Sequence, residues 1–264
     1  MLVHFSKYHG TGNDFVMIDG RDQDTAHFDT SLIHRLCDRR FGIGGDGLII
    51  LEKSQSFDFT MRYFNSDGRE GTMCGNGGRC ISAFARRLGI FNSHTTFEGI
   101  DGAHEASVLP DGKIRLKLVD LEGIEQLEDG YLLYTGSPHF VLFVKDLDQI
   151  AVEKEGAEFR HQERFGQGGV NVNFVEAGPA ANQIAVRTFE RGVEGETLSC
   201  GTGAAAAAIT SCFHSGSDIF SYNVQTRGGI LNVEFKSLSA QNYKEIYLTG
   251  PASHVYDGSI DIVV

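Results

Sequence analysis

Short apolar segments separated by turn-forming residues recur along this chain, and their periodicity predicts β-strands. We predict strands over residues 2–8, 15–18, 48–51, 59–64, 114–119 and 184–189. Apolar residues spaced three and four apart predict a helix that begins at Asp29 or Thr30 and buries Cys37. Strands and helices of this kind, interleaved along the chain, indicate an α+β protein.

Two further helices are predicted, and each begins directly after a cysteine. Beyond Cys74 and its neighbouring glycines, apolar residues recur at helical spacing from Ile81 to Leu88. Cys200 precedes residues 204–209, which are apolar on every side, so this helix should be buried with only its first turn reaching a cleft. Both cysteines therefore stand at predicted helix N-termini.

The two cysteine segments form an internal repeat. Arg62 begins an Arg-x-Phe-Asn stretch 12 residues before Cys74, and Arg187 begins an Arg-x-Phe-Glu stretch 13 residues before Cys200. A repeat of strand, loop, cysteine and helix predicts two similar domains. We place them at residues 1–121, with Cys74, and 122–264, with Cys200, and expect the join within residues 120–129.

Composition excludes several classes of protein. The chain has 264 residues, of which 41% are hydrophobic and 22% charged, so it can bury a substantial core. Its net charge of −12 and its lack of long basic runs argue against a nucleic-acid partner. The sequence contains no apolar run of about 18 residues, and its first 19 residues do not read as a signal peptide, so we expect a cytoplasmic protein without membrane segments.

The five cysteines are an odd number in a chain expected to stay in a reducing compartment, which makes a disulfide framework improbable. Their spacing also lacks the form of a zinc knuckle, so no structural metal is expected. Cys37, Cys80 and Cys212 are interpreted as buried core residues because they lie inside predicted helices.

A glycine-rich stretch, Gly42 to Gly47, matches the G-x-G-x-x-G pattern of dinucleotide-binding proteins. The order of elements contradicts that interpretation, because a helix precedes the glycines and a strand follows them. The glycines are predicted to form a turn or to bring the backbone close to a ligand.

Cys74 and Cys200 suit proton chemistry at one carbon. If the two similar domains face each other, a thiolate can remove an α-proton from one side while a thiol returns a proton to the other. A helix N-terminus lowers a thiol pKa, so one thiolate is available near neutral pH. Backbone N–H groups around Gly75, Asn76, Gly201 and Thr202 could bind the α-carboxylate and stabilise the carbanion. A core thiol requires neither flanking glycines nor a symmetric twin, which favours function over packing.

With these residues identified, the sequence resembles the diaminopimelate epimerases. The resemblance extends over most of the chain, through H-G-T-G-N-D-F at residues 9–15, G-I-G-G-D-G-L, M-C-G-N-G-G-R-C, S-P-H, G-V-N-V-N-F and E-R-G-V-E-G-E-T-L-S-C-G-T-G. It implies conversion of LL-diaminopimelate to the meso form without pyridoxal phosphate or metal, on the path to lysine and peptidoglycan, by a homodimer. It also implies two pseudo-symmetric domains, each a mixed, mostly antiparallel sheet curled around a central apolar helix, with the active site between them.

The resemblance further implies which residues bind the substrate. Asparagines, a glutamate and an arginine would hold its amino and carboxylate groups, and the two helix starts would hold the α-carboxylate. These residues are Asn13, Asn65, Gly75, Asn76, Asn171, Glu190, Arg191, Gly201 and Thr202. His139 resembles the active-site histidine of the family and would help to position groups around one thiol.

Three positions depart from the usual family pattern. Gly47 stands where many relatives have glutamine, Ser137 precedes Pro-His where asparagine is usual, and Glu194 is an additional residue. The alternatives that remain are a related two-cysteine racemase or epimerase acting on histidine, proline or hydroxyproline, and a non-catalytic thiol redox sensor.

Overall fold

The computed structural model describes residues 1–262 as an α+β protein rich in sheet. Contacts divide the chain into two compact units. The first comprises Met1–Leu116 together with the C-terminal segment from Gly250, and the second comprises Lys117–Thr249.

The strands and helices have the following bounds in chain order. The strands are β1 Leu2–Gly10, β2 Asn13–Asp19, β3 Gly47–Glu52, β4 Phe59–Asn65, β5 His94–Gly99, β6 Gly102–Val108, β7 Ile114–Lys117, β8 Leu121–Glu122, β9 Glu125–Gln126, β10 Tyr131–Tyr134, β11 Pro138–Phe143, β12 Asn171–Ala177, β13 Gln183–Glu190, β14 Gly195–Thr197, β15 Ser221–Thr226, β16 Gly229–Ser239, β17 Asn242–Gly250 and β18 Ser253–Asp261. The α-helices are α1 Thr30–Cys37, α2 Gly75–Arg87, α3 Val152–Arg160 and α4 Gly201–Ser215, and short 3₁₀ turns occupy Leu147–Gln149 and Glu163–Phe165.

The first unit contains a mixed sheet in the order β18-β1-β2-β3-β4-β5-β6-β7. The β2–β3 and β4–β5 pairs are parallel and the remaining pairs are antiparallel. Helix α2 packs against β1, β2, β3 and β6. The predicted cap of α1 is confirmed, because the Asp29 carboxylate accepts a hydrogen bond from the backbone N–H of Leu32.

The second unit repeats this topology. Its sheet runs β9-β10-β11-β12-β13-β15-β16-β17-β8, with parallel pairs only at β11–β12 and β13–β15 among the described residues. An antiparallel hairpin, a helix before the first parallel strand and a second helix before the second parallel strand occur in the same order in both units. The prediction of two similar α+β domains is therefore confirmed at the level of topology.

Helix α4 forms the centre of the second unit. Its residues from Gly203 to Cys212 are buried, and the five consecutive alanines beginning at Ala204 are at most 1% exposed. Alanine carries no long side chain, so the helix can approach the sheet closely, and it contacts six strands, β10 to β13, β15 and β16. The predicted apolar, buried helix is confirmed, and it ends at Gly216, which adopts a left-handed conformation with φ of 60°.

The boundary between the units differs from the expected division at residues 121 and 122. The chain passes into the second unit slightly earlier, at Lys117, and returns to the first at Gly250. The return has a simple physical cause: β18 pairs along its length with β1, from Leu2 opposite Asp261 to His9 opposite Ser253. A C-terminal strand that completes the N-terminal sheet leaves no local signal in the sequence.

Within residues 1–262, the helices are all too short or too polar to cross a membrane.

The packing of α4 should account for a large part of the stability of its unit. Ile209→Ala removes a fully buried side chain, so the free energy of unfolding should fall by about 2–5 kcal/mol because a cavity remains. Ile230→Ala is the matched control, because Ile230 is 58% exposed and its loss should change stability by no more than about 0.5 kcal/mol. Chemical denaturation measures both, and equal effects would contradict the central role of α4.

Candidate active site

Both candidate catalytic cysteines are the N-cap residues of their helices. Cys74 precedes α2 with φ −100° and ψ 124°, and Cys200 precedes α4 with φ −109° and ψ 115°. The first intrahelical bonds run from Gly78 N to Cys74 O at 2.7 Å and from Ala204 N to Cys200 O at 2.9 Å. The N–H groups of the first turn have no acceptor within the helix. They point toward the cysteine end of the helix, where the helix dipole is positive.

Asn13 and Asn76, both predicted to bind the substrate, lie beside Cys74. The Asn13 Oδ1 atom accepts hydrogen bonds from Asn76 Nδ2 at 3.1 Å and from Cys74 Sγ at 3.7 Å. Asn13 Nδ2 in turn donates to Asp46 Oδ2 at 2.7 Å. A carboxylate accepts only, so Asp46 fixes the orientation of the Asn13 amide and keeps its oxygen directed at the sulfur.

A cluster of charges holds Asp46 and the neighbouring loop. Arg39 donates hydrogen bonds to Asp46 Oδ1 at 2.7 Å and to both carboxylate oxygens of Asp14. Lys7 forms an ion pair with Asp14 at 2.7 Å and also donates to the carbonyl oxygen of Gly44. Burial opposes ionisation of Asp14, yet its hydrogen bonds to Arg39 and Lys7 hold the pKa of its carboxyl below the ordinary range. Residues Gly42 to Asp46 thus form the predicted turn, which lies beside Asn13, and Gly47 begins β3.

Arg79 lies fully buried on the first turns of α2, close to Cys74 in sequence. Its guanidinium donates to neutral oxygens: Gly75 O at 3.0 Å, Asn76 Oδ1 at 2.9 Å and Thr11 Oγ1 at 3.3 Å. Burial lowers the pKa of Arg79 from its ordinary value. The bond to Asn76 Oδ1 directs the Asn76 amide nitrogen at Asn13, so Arg79, Asn76, Asn13 and Asp46 form one directional chain of hydrogen bonds.

Asn65 lies at the exposed end of β4, and the described contacts join it to Tyr63 rather than to Cys74. Tyr63 donates its hydroxyl to Asn65 Oδ1 at 2.8 Å. A Cβ atom added at Gly47 would stand 2.8 Å from the Tyr63 ring and 2.6 Å from the Phe64 carbonyl oxygen. Tyr63 therefore occupies the space that a side chain at position 47 would need, which explains why glycine stands there. The expected alternation of β4 changes at this point, because Phe64 is buried and Tyr63 only half-buried.

Around Cys200 the structure brings together His139, Ser137 and Thr202. The Thr202 hydroxyl lies 3.6 Å from Cys200 Sγ and 2.9 Å from His139 Nε2, and His139 Nε2 also lies 2.9 Å from Ser137 Oγ. His139 is fully buried. Burial is the largest cause that lowers its pKa to about 3, and the positive charge of Arg191 acts in the same direction, so the imidazole is neutral at physiological pH.

Asn171 and Arg191 join the same network, whereas Glu190 contacts Thr197. Asn171 donates to Ser137 Oγ at 3.0 Å and accepts from the backbone N–H of Arg191 at 2.9 Å. Glu190 accepts a short hydrogen bond from Thr197 Oγ1. Ser137 thus supplies polar contacts to both Asn171 and His139 at the position where asparagine is usual.

The additional residue Glu194 is accommodated by a left-handed backbone with φ of 58°. Its carboxylate accepts from the backbone N–H of Gly192 at 2.9 Å and from Arg160 at 3.0 Å, which ties the loop that carries Arg191 to α3. The insertion is therefore built into the loop by its own ion pair.

The other cysteines are core residues, as predicted. Cys37, Cys80 and Cys212 are buried, and all five cysteines are free thiols. Burial raises the pKa of both Cys37 and Cys80 to about 12, and it also raises that of Cys212. These three thiols are protonated at neutral pH and unsuited to proton abstraction.

Several residues of the site escaped the sequence analysis. Asp46 contacts Asn13 from 33 residues away, so no spacing revealed it. Arg79 and Tyr63 lie three and two residues from the candidates Asn76 and Asn65, on the same helix and the same strand, and the sequence analysis passed over them. Asn173 is different: it donates to His139 at 3.1 Å and lies two residues after Asn171, on the same face of β12. The period-2 alternation of a strand was a usable signal for this residue.

In the described range no group of three or more histidine, cysteine or acidic side chains is arranged to hold a metal ion.

Comparison with solved structures identifies the class of the fold. A phenazine biosynthesis protein of the PhzF family from Bacillus anthracis superposes with a TM-score of 0.79 at 16% identity, covering 99% of this chain and all of the other. A hydroxyproline epimerase from Agrobacterium vitis, with bound trans-4-hydroxy-L-proline, gives a TM-score of 0.72 at 14% identity, covering 98% and 92%. At such identities the likeness shows the fold alone, which this chain shares with both of these proteins over nearly its whole length.

Sequence comparison narrows the class to one family. The family described as diaminopimelate epimerase matches residues 5–120 and 131–255. A diaminopimelate epimerase from Flavobacterium psychrophilum is 47% identical over 96% of this chain and 98% of its own length, and one from Chlorobaculum tepidum is 43% identical over 96% and 99%. The chain belongs to the diaminopimelate epimerase family, and the resemblance read from its motifs is confirmed.

The buried, neutral His139 predicts a specific dependence of stability on pH. Its folded pKa of about 3 lies below the ordinary 6.5, so between these values the unfolded chain binds the proton more readily. The contribution of His139 to the stability of the folded protein is complete at a pH above its pKa in the unfolded chain. It is lost as the pH falls toward its pKa in the folded protein. From about pH 7 to about pH 4 this group should remove about 3 kcal/mol from the free energy of unfolding.

His139→Gln should show a correspondingly weaker loss of stability over the same range, measured by chemical denaturation at each pH. An equal pH dependence in the two proteins would show that His139 is not held neutral.

Proposed function

We propose that this chain interconverts LL- and meso-diaminopimelate by two-base proton transfer at the α-carbon, with Cys74 and Cys200 as the acid and base. Membership of the family supports the reaction. The observation that supports the roles of the cysteines is their common position: each caps the central helix of its unit at the same point of a repeated topology. The proposed reaction supplies meso-diaminopimelate, a precursor of lysine and of peptidoglycan.

The proposed step conserves atoms and charge. A thiolate removes the α-proton and becomes a thiol, and the electron pair of the broken C–H bond remains on carbon and spreads into the carboxylate. The second thiol then gives its proton to the opposite face of the carbon and becomes a thiolate. The configuration is inverted, and the enzyme ends with its two protonation states exchanged. This requires both sulfurs to reach opposite faces of one α-carbon.

Stabilisation of the carbanion is assigned to the helix starts. First-turn N–H groups at Gly75, Asn76, Gly201 and Thr202 and the positive ends of two helix dipoles suit a carboxylate whose negative charge increases in the transition state. The proposal therefore requires neither pyridoxal phosphate nor a metal.

Polar side chains at the helix starts and on neighbouring loops are proposed to recognise the rest of the substrate. Arg191 suits a carboxylate and Glu190 suits an ammonium group. Asn13, Asn65 and Asn171 supply amides, and each of them is held by a contact described above. We further propose that the protein is cytoplasmic and acts as a homodimer, as the family resemblance implies.

A related two-cysteine enzyme acting on another amino acid is the second candidate. The observation that favours it is the set of changed polar positions, with Gly47 bearing no side chain and Ser137 a short one. Both changes alter the groups that stand near candidate binding residues.

The choice between these substrates can be measured directly. Incubated in deuterated water, the purified protein should convert LL-diaminopimelate to the meso form with deuterium at the inverted α-carbon, because the donated proton comes from a thiol that exchanges with solvent. Histidine, proline and hydroxyproline serve as controls and should remain unlabelled. Labelling of one of them, with diaminopimelate unchanged, would establish the second candidate instead.

The two-base mechanism makes a separate prediction. Cys74→Ala and Cys200→Ala should each lower the rate of full epimerisation by at least about 100-fold, since each removes one proton-transfer group. Cys80→Ala and Cys212→Ala are matched controls inside the same two helices and should mainly lower stability. Epimerisation is followed by chromatographic separation of the isomers.

Full turnover in either of the first two variants would rule out the mechanism. Oxidation of the cysteine pair should abolish epimerisation, whereas the redox-sensor alternative predicts no turnover in either the reduced or the oxidised state.

A further inference from the structure

Two buried polar residues lie beneath the start of α4 and, together with Thr202 on its first turn, form a hydrogen-bonded series with Cys200. Asn173 and His139 are both fully buried, and Thr202 belongs to the first turn of the helix. Asn173 contacts His139 Nδ1, His139 Nε2 contacts the Thr202 hydroxyl, and that hydroxyl contacts Cys200 Sγ. We call these four residues the Cys200 relay. The direction of its hydrogen bonds can be assigned from their partners.

The orientation of the Asn173 amide is determined on both sides. Its Nδ2 lies 3.2 Å from the carbonyl oxygen of Phe140, which can only accept, so this atom must be the donating NH₂ group. Its Oδ1 accepts from the Thr188 hydroxyl at 3.0 Å. The amide therefore presents an N–H, and not an oxygen, to the imidazole.

This orientation determines which nitrogen of His139 carries the proton. Nδ1 faces the Asn173 N–H at 3.1 Å and must accept, so in the neutral ring the proton resides on Nε2. The Nε2–H group then donates to the hydroxyls of Thr202 and Ser137, each 2.9 Å away.

The hydroxyl groups of Ser137 and Thr202 lie between His139 and Cys200 Sγ, and their hydrogen bonds continue in the same direction. Thr202 Oγ1 accepts from the histidine. Ser137 Oγ accepts from Asn171 Nδ2 at 3.0 Å, lies 3.4 Å from Thr202 Oγ1 and can donate its own proton to that oxygen. The Thr202 hydroxyl proton is thereby directed at Cys200 Sγ, 3.6 Å away. A hydrogen bond donated to sulfur stabilises the thiolate more than the thiol.

We propose that Asn173 is a positioning residue which, by fixing the Nε2–H tautomer of His139, turns the Thr202 hydroxyl toward Cys200 and stabilises Cys200 as a thiolate. The importance of this inference for catalysis rests on the proposed function, but the inference itself concerns the free protein. Gly203 supports it sterically, because a Cβ atom there would stand 2.4 Å from Asn173 Oδ1 and 3.3 Å from Cys200 Sγ.

The charged groups around the relay are compatible with this direction. His139 remains neutral because burial lowers its pKa to about 3. Arg191, just after β13, contributes a positive field, and Glu190 on β13 engages its carboxylate with the Thr197 hydroxyl. The positive end of the α4 dipole adds to the stabilisation of the thiolate.

The tautomer can be observed directly. Long-range ¹H–¹⁵N spectra of the wild-type protein labelled at the histidine rings distinguish the two neutral forms, and the signals of His139 are those missing in His139→Gln. The Nε2–H form is expected. Observation of the Nδ1–H form would overturn the proposal, whatever the catalytic activity.

The effect on the sulfur is measured by the rate at which iodoacetamide alkylates Cys200 as pH varies, with the modified peptide quantified by mass spectrometry. Thr202→Val keeps the shape of the side chain but removes the hydroxyl, and should slow alkylation near neutral pH about tenfold, equivalent to a rise of about one unit in the thiol pKa. Thr202→Ser should restore most of the rate. An unchanged rate in Thr202→Val would refute the relay.

Asn173→Leu tests the origin of the relay and should both mix the His139 tautomers and slow alkylation of Cys200. Thr188→Val is the matched control: it removes the hydrogen bond to Asn173 Oδ1, while the Phe140 carbonyl still fixes Nδ2 as the donor. It should lower stability while leaving the tautomer and the alkylation rate unchanged. A slowed rate in Thr188→Val with an unchanged tautomer would assign the effect to packing.

If Asn173→Leu does not fold, the wild-type spectrum and the two Thr202 variants decide the question. A protein that passes these tests but fails to epimerise diaminopimelate would refute the proposed function alone.

Discussion

A cysteine held in extended conformation immediately before a buried helix is the constraint on which the rest of the candidate site depends. The extended N-cap residue leaves the first-turn N–H groups directed past the sulfur, because intrahelical bonding begins only at Gly78 and Ala204. The helix behind each cysteine is anchored in its sheet, so the position of its first turn is determined by the core. Glycines at the helix starts allow this close packing, as Gly203 does beside Cys200 and Asn173.

The two cysteines share a backbone position but differ in their polar surroundings. Cys74 meets the oxygen of Asn13, whose amide is fixed by Asp46, while the buried Arg79 provides a nearby positive charge. Cys200 meets the hydroxyl of Thr202, which is oriented from His139. A repeated fold therefore carries two chemically different environments. Such a difference suits a pair of thiols in which one is protonated while the other is a thiolate.

The departures from the family pattern have structural explanations within each unit. Tyr63 fills the space above Gly47 and bonds Asn65, Ser137 retains contacts to Asn171 and His139, and Glu194 is bound by Arg160. Each change preserves a hydrogen-bonded position for a neighbouring candidate residue. The two substitutions and the additional residue are each compensated locally by these contacts.

Local patterns in the sequence determined part of the secondary structure, namely α1, α2, α4 and the strands β1 to β4, β7 and β13, and the two cysteine positions. Side-chain periodicity and capping depend on neighbouring residues, so the Asp29 cap of α1, the buried α4 and the cysteines at helix starts were all predictable. Even the repeat of two similar units followed from matching segments.

Only the tertiary structure decided the contacts between residues that are remote along the chain. The pairing of β18 with β1, the orientation of Asn13 by Asp46, the burial of Arg79 and the contact of Asn173 with His139 depend on which elements pack together. Hydrogen-bond direction in a buried network is set by all partners at once, and no single segment of sequence carries that information.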